Sequence, residues 1–343
     1  MPINLKGRSL DSLLNFSTEE VKFLIDMSID LKKAKYINAH ETNRPFTGKN
    51  IVILFQKDST RTRCAFEVAG ADLGAGVTYI GPQGSNFGKK ESIEDTAKVL
   101  GRFYDGIEFR GFAQSDVDAL VKHSGVPVFN GLTDDEHPTQ VIADFMTMNE
   151  HLGDLKGKRV VFIGDYKNNV GHSTLIGAAF TGMHVTLIGP KSYEKEMRPE
   201  VLKATKKLFD LNGGSLTFSD DKIKGARNAD VIYTDVWVSL GEPFDIFEQR
   251  IKELKAYQVD MAMINATENK DVIFLHCLPA FHDKNTEFSA TISNEFGKKY
   301  PEVANGAMEV TDEVFQSKYN KAFDQAENRM HSIKAIMLSM IGS

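Results

Sequence analysis

Eight short apolar runs, each followed by polar residues and then by a helical stretch, constrain this chain more than any other feature. They fall at residues 51–55, 77–80, 107–110, 126–130, 159–163, 185–188, 231–234 and 272–275. Runs of four or five mostly apolar residues, rich in Val, Ile and Phe, suit strands covered on both faces, as in parallel sheets. Strands that alternate with helices in this way predict a doubly wound α/β architecture. Gly153-Asp154-Leu155-Lys156-Gly157-Lys158 interrupts the alternation and reads as a boundary between two such series. The expected fold is therefore two doubly wound parallel-sheet domains, residues 1–150 and 151–317. An amphipathic helix follows over 318–343, with Tyr319, Phe323, Ala326, Met330, Ile333, Met337 and Met340 spaced by fours and threes.

A length of 343 residues is enough for two separate cores. The net charge of −6 provides no basic footprint for nucleic acid, so no nucleic-acid partner is expected. No apolar run is long enough to span a bilayer and the N-terminus lacks a signal-peptide core, which together predict a soluble cytoplasmic protein with no membrane partner. Cys64 and Cys277, the only cysteines, make a disulfide scaffold or a cysteine-built zinc site unlikely, and the nine histidines show no zinc-type spacing. Ser17-Thr18-Glu19-Glu20 predicts a capping box, and Ser92 a second helix start. Between them, residues 81–91 contain three glycines and read as a surface loop of the kind that carries function.

The chemistry collects where strands hand over to helices. Ser59-Thr60-Arg61-Thr62-Arg63 follows the first strand and opens a helix. A first helical turn offers unpaired N–H groups and the positive end of the helix dipole, which favour an anion. The hydroxyls add donors, and the forks of Arg61 and Arg63 match phosphate oxygens. An ordinary N-cap with two surface arginines would use the same residues, so the other strand ends must decide. They carry Arg110, residues 137–140, Asn168 with Asn169, residues 235–239 and residues 276–278. Ligands in open α/β sheets bind at the carboxyl ends of strands, and two facing sheets sharing that edge would bring these residues to one cleft. Alone, His137 before Pro138 reads as a structural histidine and Cys277 as a buried thiol.

Taken in order, Ser59-Thr60-Arg61-Thr62-Arg63, His137-Pro138-Thr139-Gln140, Asp235-Val236-Trp237-Val238-Ser239 and His276-Cys277-Leu278-Pro279 resemble the motifs of the aspartate/ornithine carbamoyltransferase family across essentially the whole chain. The resemblance implies that Ser59, Thr60, Arg61 and Thr62 hold the phosphate of carbamoyl phosphate. It assigns Arg110, His137, Pro138, Thr139, Gln140, Cys277, Leu278 and Arg329 to the rest of that substrate, so the last helix returns to the first domain. It also implies a loop that reaches a neighbouring subunit's site, in trimers or assemblies of trimers. This chain has Asn86 in that loop where most ornithine-using members have glutamine.

Aspartate-using members carry His-Pro-Leu-Pro at the last motif. Here Cys277, Asp235, Asn169 and Ser239 resemble the ornithine set, with Leu240 replacing the usual methionine. The implied reaction moves a carbamoyl group to the δ-amine of L-ornithine, giving citrulline and phosphate. Arg110, His137, Cys277 and Asp235 are its expected catalytic residues, with no cofactor and no metal. Arg110, His137 and the Thr62 hydroxyl would stabilise a tetrahedral oxyanion, and the loop at Ser239 would close over the amino acid. Putrescine is the alternative amine, although it has no carboxylate for Asn169 and Ser239 to hold. Gly164-Asp165-Tyr166 lacks the glycine spacing of a dinucleotide site, which argues against an oxidoreductase. A non-catalytic relative would be expected to lose Arg61, Arg110 or His137, and all three are present.

Overall fold

The computed structural model describes residues 3–37, 44–83, 87–88, 90–239 and 242–342. The chain divides into two compact units, residues 1–150 with 326–343, and residues 151–325. The first contains α1 (Thr18–Tyr36), β1 (Asn50–Phe55), α2 (Thr60–Leu73), β2 (Gly76–Ile80), α3 (Ile93–Phe103), β3 (Gly106–Arg110), α4 (Gln114–Ser124), β4 (Val128–Leu132) and most of α5 (Pro138–Leu152). The second contains β5 (Arg159–Ile163), α6 (Asn169–Thr181), β6 (His184–Ile188), α7 (Pro199–Asn212), β7 (Ser215–Ser219), α8 (Lys222–Gly225) and β8 (Val231–Thr234). It continues through α9 (Ile246–Leu254), α10 (Met261–Ala266), β9 (Ile273–His276), α11 (Glu287–Phe296) and α12 (Asp312–Phe315). Helix α13 (Ala322–Ile341) begins in the second unit and supplies the C-terminal segment of the first.

Both sheets are wholly parallel, as the apolar runs require. The first has the order β2-β1-β3-β4 and the second β7-β6-β5-β8-β9. The first sheet's core gathers Val52, Leu54, Ile107, Phe109 and Val128; the second's gathers Val161, Ile163, Ile232 and Phe274. Each such side chain contributes roughly 1.5–3 kcal/mol on burial. The chain leaves β1 toward β2 on one side and then returns to place β3 on the other, so the winding reverses between β1 and β3. In the second sheet it reverses between β5 and β8. Such switch points open a crevice at the carboxyl ends of the strands, where ligands bind.

Helix starts follow their caps. Ser17 and Glu20 form the reciprocal capping box, and Ser59 and Ser92 accept the N–H of Thr62 and Asp95. Three local expectations need correction. Strand β7 was not anticipated, because Ser-Leu-Thr-Phe-Ser alternates like a half-buried edge strand instead of running apolar throughout. Strand β4 starts at Val128 because Pro127 has no N–H to place in the ladder. The last helix starts at Ala322, whose N–H is capped by Asn320 at 2.8 Å. Tyr319 therefore precedes the helix, and Phe323 is 65% exposed while Ile333, Met337 and Met340 are buried. No helix among the described residues is long and apolar enough to cross a membrane.

Candidate functional site

In the first unit the switch point is lined by cations. β1 delivers Ser59, whose extended backbone (φ −158°) and side-chain acceptor start α2. Ser59 and Arg61 are half-buried, Thr60 is exposed and Thr62 is buried. β3 ends at Arg110, 7% exposed. Arg329 comes from α13 and is buried. Its Nη2 donates to Thr62 Oγ1 at 3.1 Å, and Arg110 Nη1 lies 3.5 Å from the same oxygen. Nη1 of Arg329 donates to Gln140 Oε1 and approaches His137 Nε2 at 3.4 Å. Gln140 is oriented by its own bond to Asp144 Oδ1 at 2.7 Å. Pro138 occupies the first turn of α5, where a missing N–H costs nothing. Thr139 Oγ1 lies 3.5 Å from His137 Nδ1.

A guanidinium can only donate, so the Arg329 contact makes Nε2 of His137 the acceptor and places the ring proton on Nδ1. Burial, followed by the charges of Arg329, Arg110 and Arg61, holds the His137 pKa well below the usual histidine value. The imidazole is thus neutral near pH 7 and adds no charge of its own. Guanidinium groups converging out of water repel one another, and an anion placed among them removes that penalty. Arg63 takes no part in this cluster. It is exposed, paired with Glu67 at 2.9 Å, and its guanidinium carbon sits 3.9 Å from the centre of the Tyr79 ring. Its helical position, one residue past Thr62, points it to the outer face of α2, and the expectation for its fork is corrected.

At the switch point of the second unit the polarity is reversed. Asp235 follows β8, and its carboxylate accepts the Val236 N–H at 2.8 Å, Asn168 Nδ2 at 3.3 Å and the Cys277 thiol at 3.0 Å. Asn168 is also the N-cap of α6, accepting the Gly171 N–H at 2.8 Å. The next residue, Asn169, is half-buried and opens the helix. Ser239 is exposed, with its N–H on the Glu242 carboxylate. Leu278 is half-buried with φ at +57°. The expected residues Asn86 and Leu240 lie outside the described residues.

Among the described residues two groups of potential metal-ligand atoms occur, Asp235 with His276 and Cys277, and His282 with Asp283 and Asp312. In the first, both ring nitrogens of His276 are already engaged, by the Leu278 N–H at 2.9 Å and by Glu309 Oε1 at 3.1 Å. That bonding leaves His276 poorly suited to ligate an ion.

Sequence reasoning missed several residues beside these sites. Asn168, named with Asn169 at its strand end but given no role there, braces Asp235. Glu108 is fully buried in β3, where desolvation raises its carboxyl pKa well above normal against the opposing pull of Arg110 and Arg329. Neither of its oxygens has a hydrogen-bond partner among the described residues. Gly131 makes the space: a Cβ there would lie 1.8 Å from Glu108 Oε1. A charged residue inside an apolar run was the available signal. Asp165, after β5, is also buried, its pKa raised to about 6 by desolvation despite Arg250 at 3.3 Å.

Comparison with known proteins identifies the family. The carbamoyl-P binding domain model of aspartate/ornithine carbamoyltransferases matches residues 8–150, and the Asp/Orn binding domain model matches residues 156–340. The catabolic ornithine carbamoyltransferase of Malacoplasma penetrans is 75% identical over all of both chains, and that of Mycoplasma pneumoniae 66% identical over all of both. The structure of ornithine carbamoyltransferase from Pyrococcus furiosus superposes with a TM-score of 0.86 at 35% identity, covering 99% of each chain. Two parallel α/β units, with a guanidinium cluster at one switch point and a braced carboxylate at the other, belong to a chain that is a member of the aspartate/ornithine carbamoyltransferase family.

Proposed function

We propose that this enzyme transfers the carbamoyl group of carbamoyl phosphate to the δ-amine of L-ornithine, releasing citrulline and phosphate. The observation that carries the reading is the opposite polarity of the two switch points. Three arginines with neutral His137 and Gln140 suit a phosphate dianion and a carbamoyl group. Asp235, held by Asn168 and Cys277, suits an ammonium. In this reading Ser59, Thr60, Arg61 and Thr62 hold the phosphate, and Arg110, His137, Pro138, Thr139, Gln140, Arg329, Cys277 and Leu278 hold the remainder. Asn169, Asp235, Ser239 and Leu240 hold ornithine. The residues of 1–150 with the C-terminal helix form the carbamoyl-phosphate domain, and those of 151–317 the ornithine domain.

The reaction requires both sets to act on one substrate pair. The neutral amine attacks the carbamoyl carbon, and its new C–N bond forms as the carbonyl becomes an oxyanion beside Arg110, His137 and Thr62. The bond between the carbamoyl carbon and the bridging oxygen then breaks, the phosphate leaves with the electron pair onto Arg61 and the α2 N-terminus, and an amine proton passes to the phosphate or solvent. Names of the mycoplasmal relatives support a place in arginine breakdown. The family resemblance also supports a trimer-based homo-oligomer with Asn86 reaching a neighbour's site, and exposed Val99 and Phe103 on α3 are compatible surface for such contacts. Activity regained on mixing inactive Asn86→Asp and Arg61→Ala subunits would bear out the shared site. Mixtures that stay inactive while exchanging with wild type would refute it.

Titrating product formation against ornithine and against putrescine tests the main reading. Citrulline should form with ornithine at far lower concentrations than putrescine needs. Turnover of putrescine alone would overturn the assignment of Asn169 and Ser239.

A further inference from the structure

We infer that Glu309 and His276, neither of which is placed to touch a substrate, are positioning residues that fix the loop carrying Cys277 and Leu278; the inference rests on the reading above for what that loop contacts. His276 ends β9 and Glu309 lies 33 residues later, and both are fully buried. The Leu278 N–H is a donor, so Nδ1 of His276, 2.9 Å away, must accept it. The ring proton therefore sits on Nε2 and is donated to Glu309 Oε1 at 3.1 Å. The same carboxylate oxygen accepts the Phe281 N–H at 2.7 Å. One oxygen thus fastens both ends of the segment from 276 to 281: one end directly, the other through an imidazole whose tautomer it selects.

What this fastening maintains is a conformation the chain does not favour. Leu278 has φ +57°, the left-handed region that a branched side chain rarely adopts. The His276 ring closes a turn over it much as an Asx side chain does, by accepting the N–H two residues on. That turn presents the Cys277 thiol to Asp235 at 3.0 Å. If Nδ1 carried the proton instead, it would face the Leu278 N–H donor against donor and the turn would open. Carboxylates that orient histidines in this way are familiar from catalytic and metal sites; here the histidine orients backbone. The second carboxylate oxygen, Oε2, has no hydrogen-bond partner among the described residues, so an amide nitrogen placed there would displace no bond.

The test uses full-length enzyme in a Cys64→Ser background, so that Cys277 is the sole thiol. Glu309→Met removes the acceptor at similar volume, and Glu309→Gln restores it. With Glu309→Met, alkylation of Cys277 by iodoacetamide should accelerate at least tenfold and citrulline formation should fall at least thirtyfold. Binding of inorganic phosphate, which reads the arginine cluster of the other unit, should be unchanged. Glu309→Gln should return both altered rates to within threefold of the parent. A folded Glu309→Met protein with the parent's alkylation and turnover would overturn the inference, as would a Glu309→Gln protein as impaired as Glu309→Met. Should Glu309→Met not fold, Glu309→Asp, which withdraws the carboxylate by one methylene, should accelerate alkylation, and the parental rate there would equally overturn it. If the wild type makes no citrulline, the functional reading fails while the alkylation measurement still decides the role of Glu309.

Discussion

The two switch points differ in how their polar groups are held. In the first unit, buried guanidinium groups bond to one another's partners, so that Thr62 faces both Arg110 and Arg329, and Arg329 also reaches Gln140 and His137. In the second, one carboxylate is held by a backbone N–H, an amide and a thiol drawn from three strand ends. The first is a concentration of like charge that is costly until an anion arrives. The second is a single charge already supplied with donors. On the proposed reading, anion recognition is prepared as electrostatic strain, and ammonium recognition as geometry.

The largest effect should come from dispersing the strained cluster. Arg329→Met, like Arg61→Ala, is expected to reduce turnover to about a thousandth or less, since each charged hydrogen bond is worth roughly 1.5–3 kcal/mol and several are lost together. Carbamoyl-phosphate affinity unchanged in folded Arg329→Met protein would mean that the cluster is not the phosphate site. A second test separates the amine from the histidine. Free amines of this kind have a pKa near roughly 10.4, so turnover at subsaturating ornithine should rise up to about tenfold per pH unit from 6 to 8.5. His137, with its pKa held well below the usual value, is already neutral throughout that range and contributes no inflection. A flat profile would show that amine ionisation does not limit the reaction.

Asp235→Asn should have a smaller and more selective effect, raising the apparent KM for ornithine by about 10–100-fold, the scale of one charge-assisted bond. Equal loss for carbamoyl phosphate would break the contrast between the two sites. The smallest expected effect concerns Glu108, whose folded-state carboxyl pKa is raised by desolvation. Its neutral form is compatible with the fold below the unfolded pKa, and stability is lost as pH rises above that value toward the raised one. Glu108→Gln should therefore flatten the loss of stability as pH rises above the ordinary carboxyl value, while leaving carbamoyl-phosphate binding nearly intact. A parallel decline in wild type and variant, followed by chemical denaturation, would argue that Glu108 does not carry the sensitivity.

Much of this was legible in the sequence because the covered strands are written as continuous apolar runs. The residues at their ends were legible only as a set: alone, His137 reads as structural and Cys277 as a buried thiol, and it is four motifs in order along the chain that single them out. The edge strand β7 escaped because a half-covered strand alternates, and its pattern competes with a loop. Arg63 misled because sequence spacing gives a helical residue's identity but not its face; Glu67 and Tyr79 claim it on the outer side. Glu309 was invisible for a different reason. Its effect is exerted through His276 on a backbone N–H, and no local pattern links residues 33 positions apart.

The return of the C-terminal segment to the first unit has a consequence in time. The second unit is continuous in the chain, whereas the first lacks residues 326–343 until the whole of the second unit has been made. At about 5–20 residues per second, some 10–35 s separate Glu150 from Arg329 on the ribosome. During that interval Thr62 and Gln140 lack the guanidinium that later joins them. Ribosome-arrested chains ending near residue 325 should already protect the second unit from protease yet fail to retain phosphate. On the proposed reading, the nascent chain stays inert toward its anionic ligand until residue 329 has been made and has emerged.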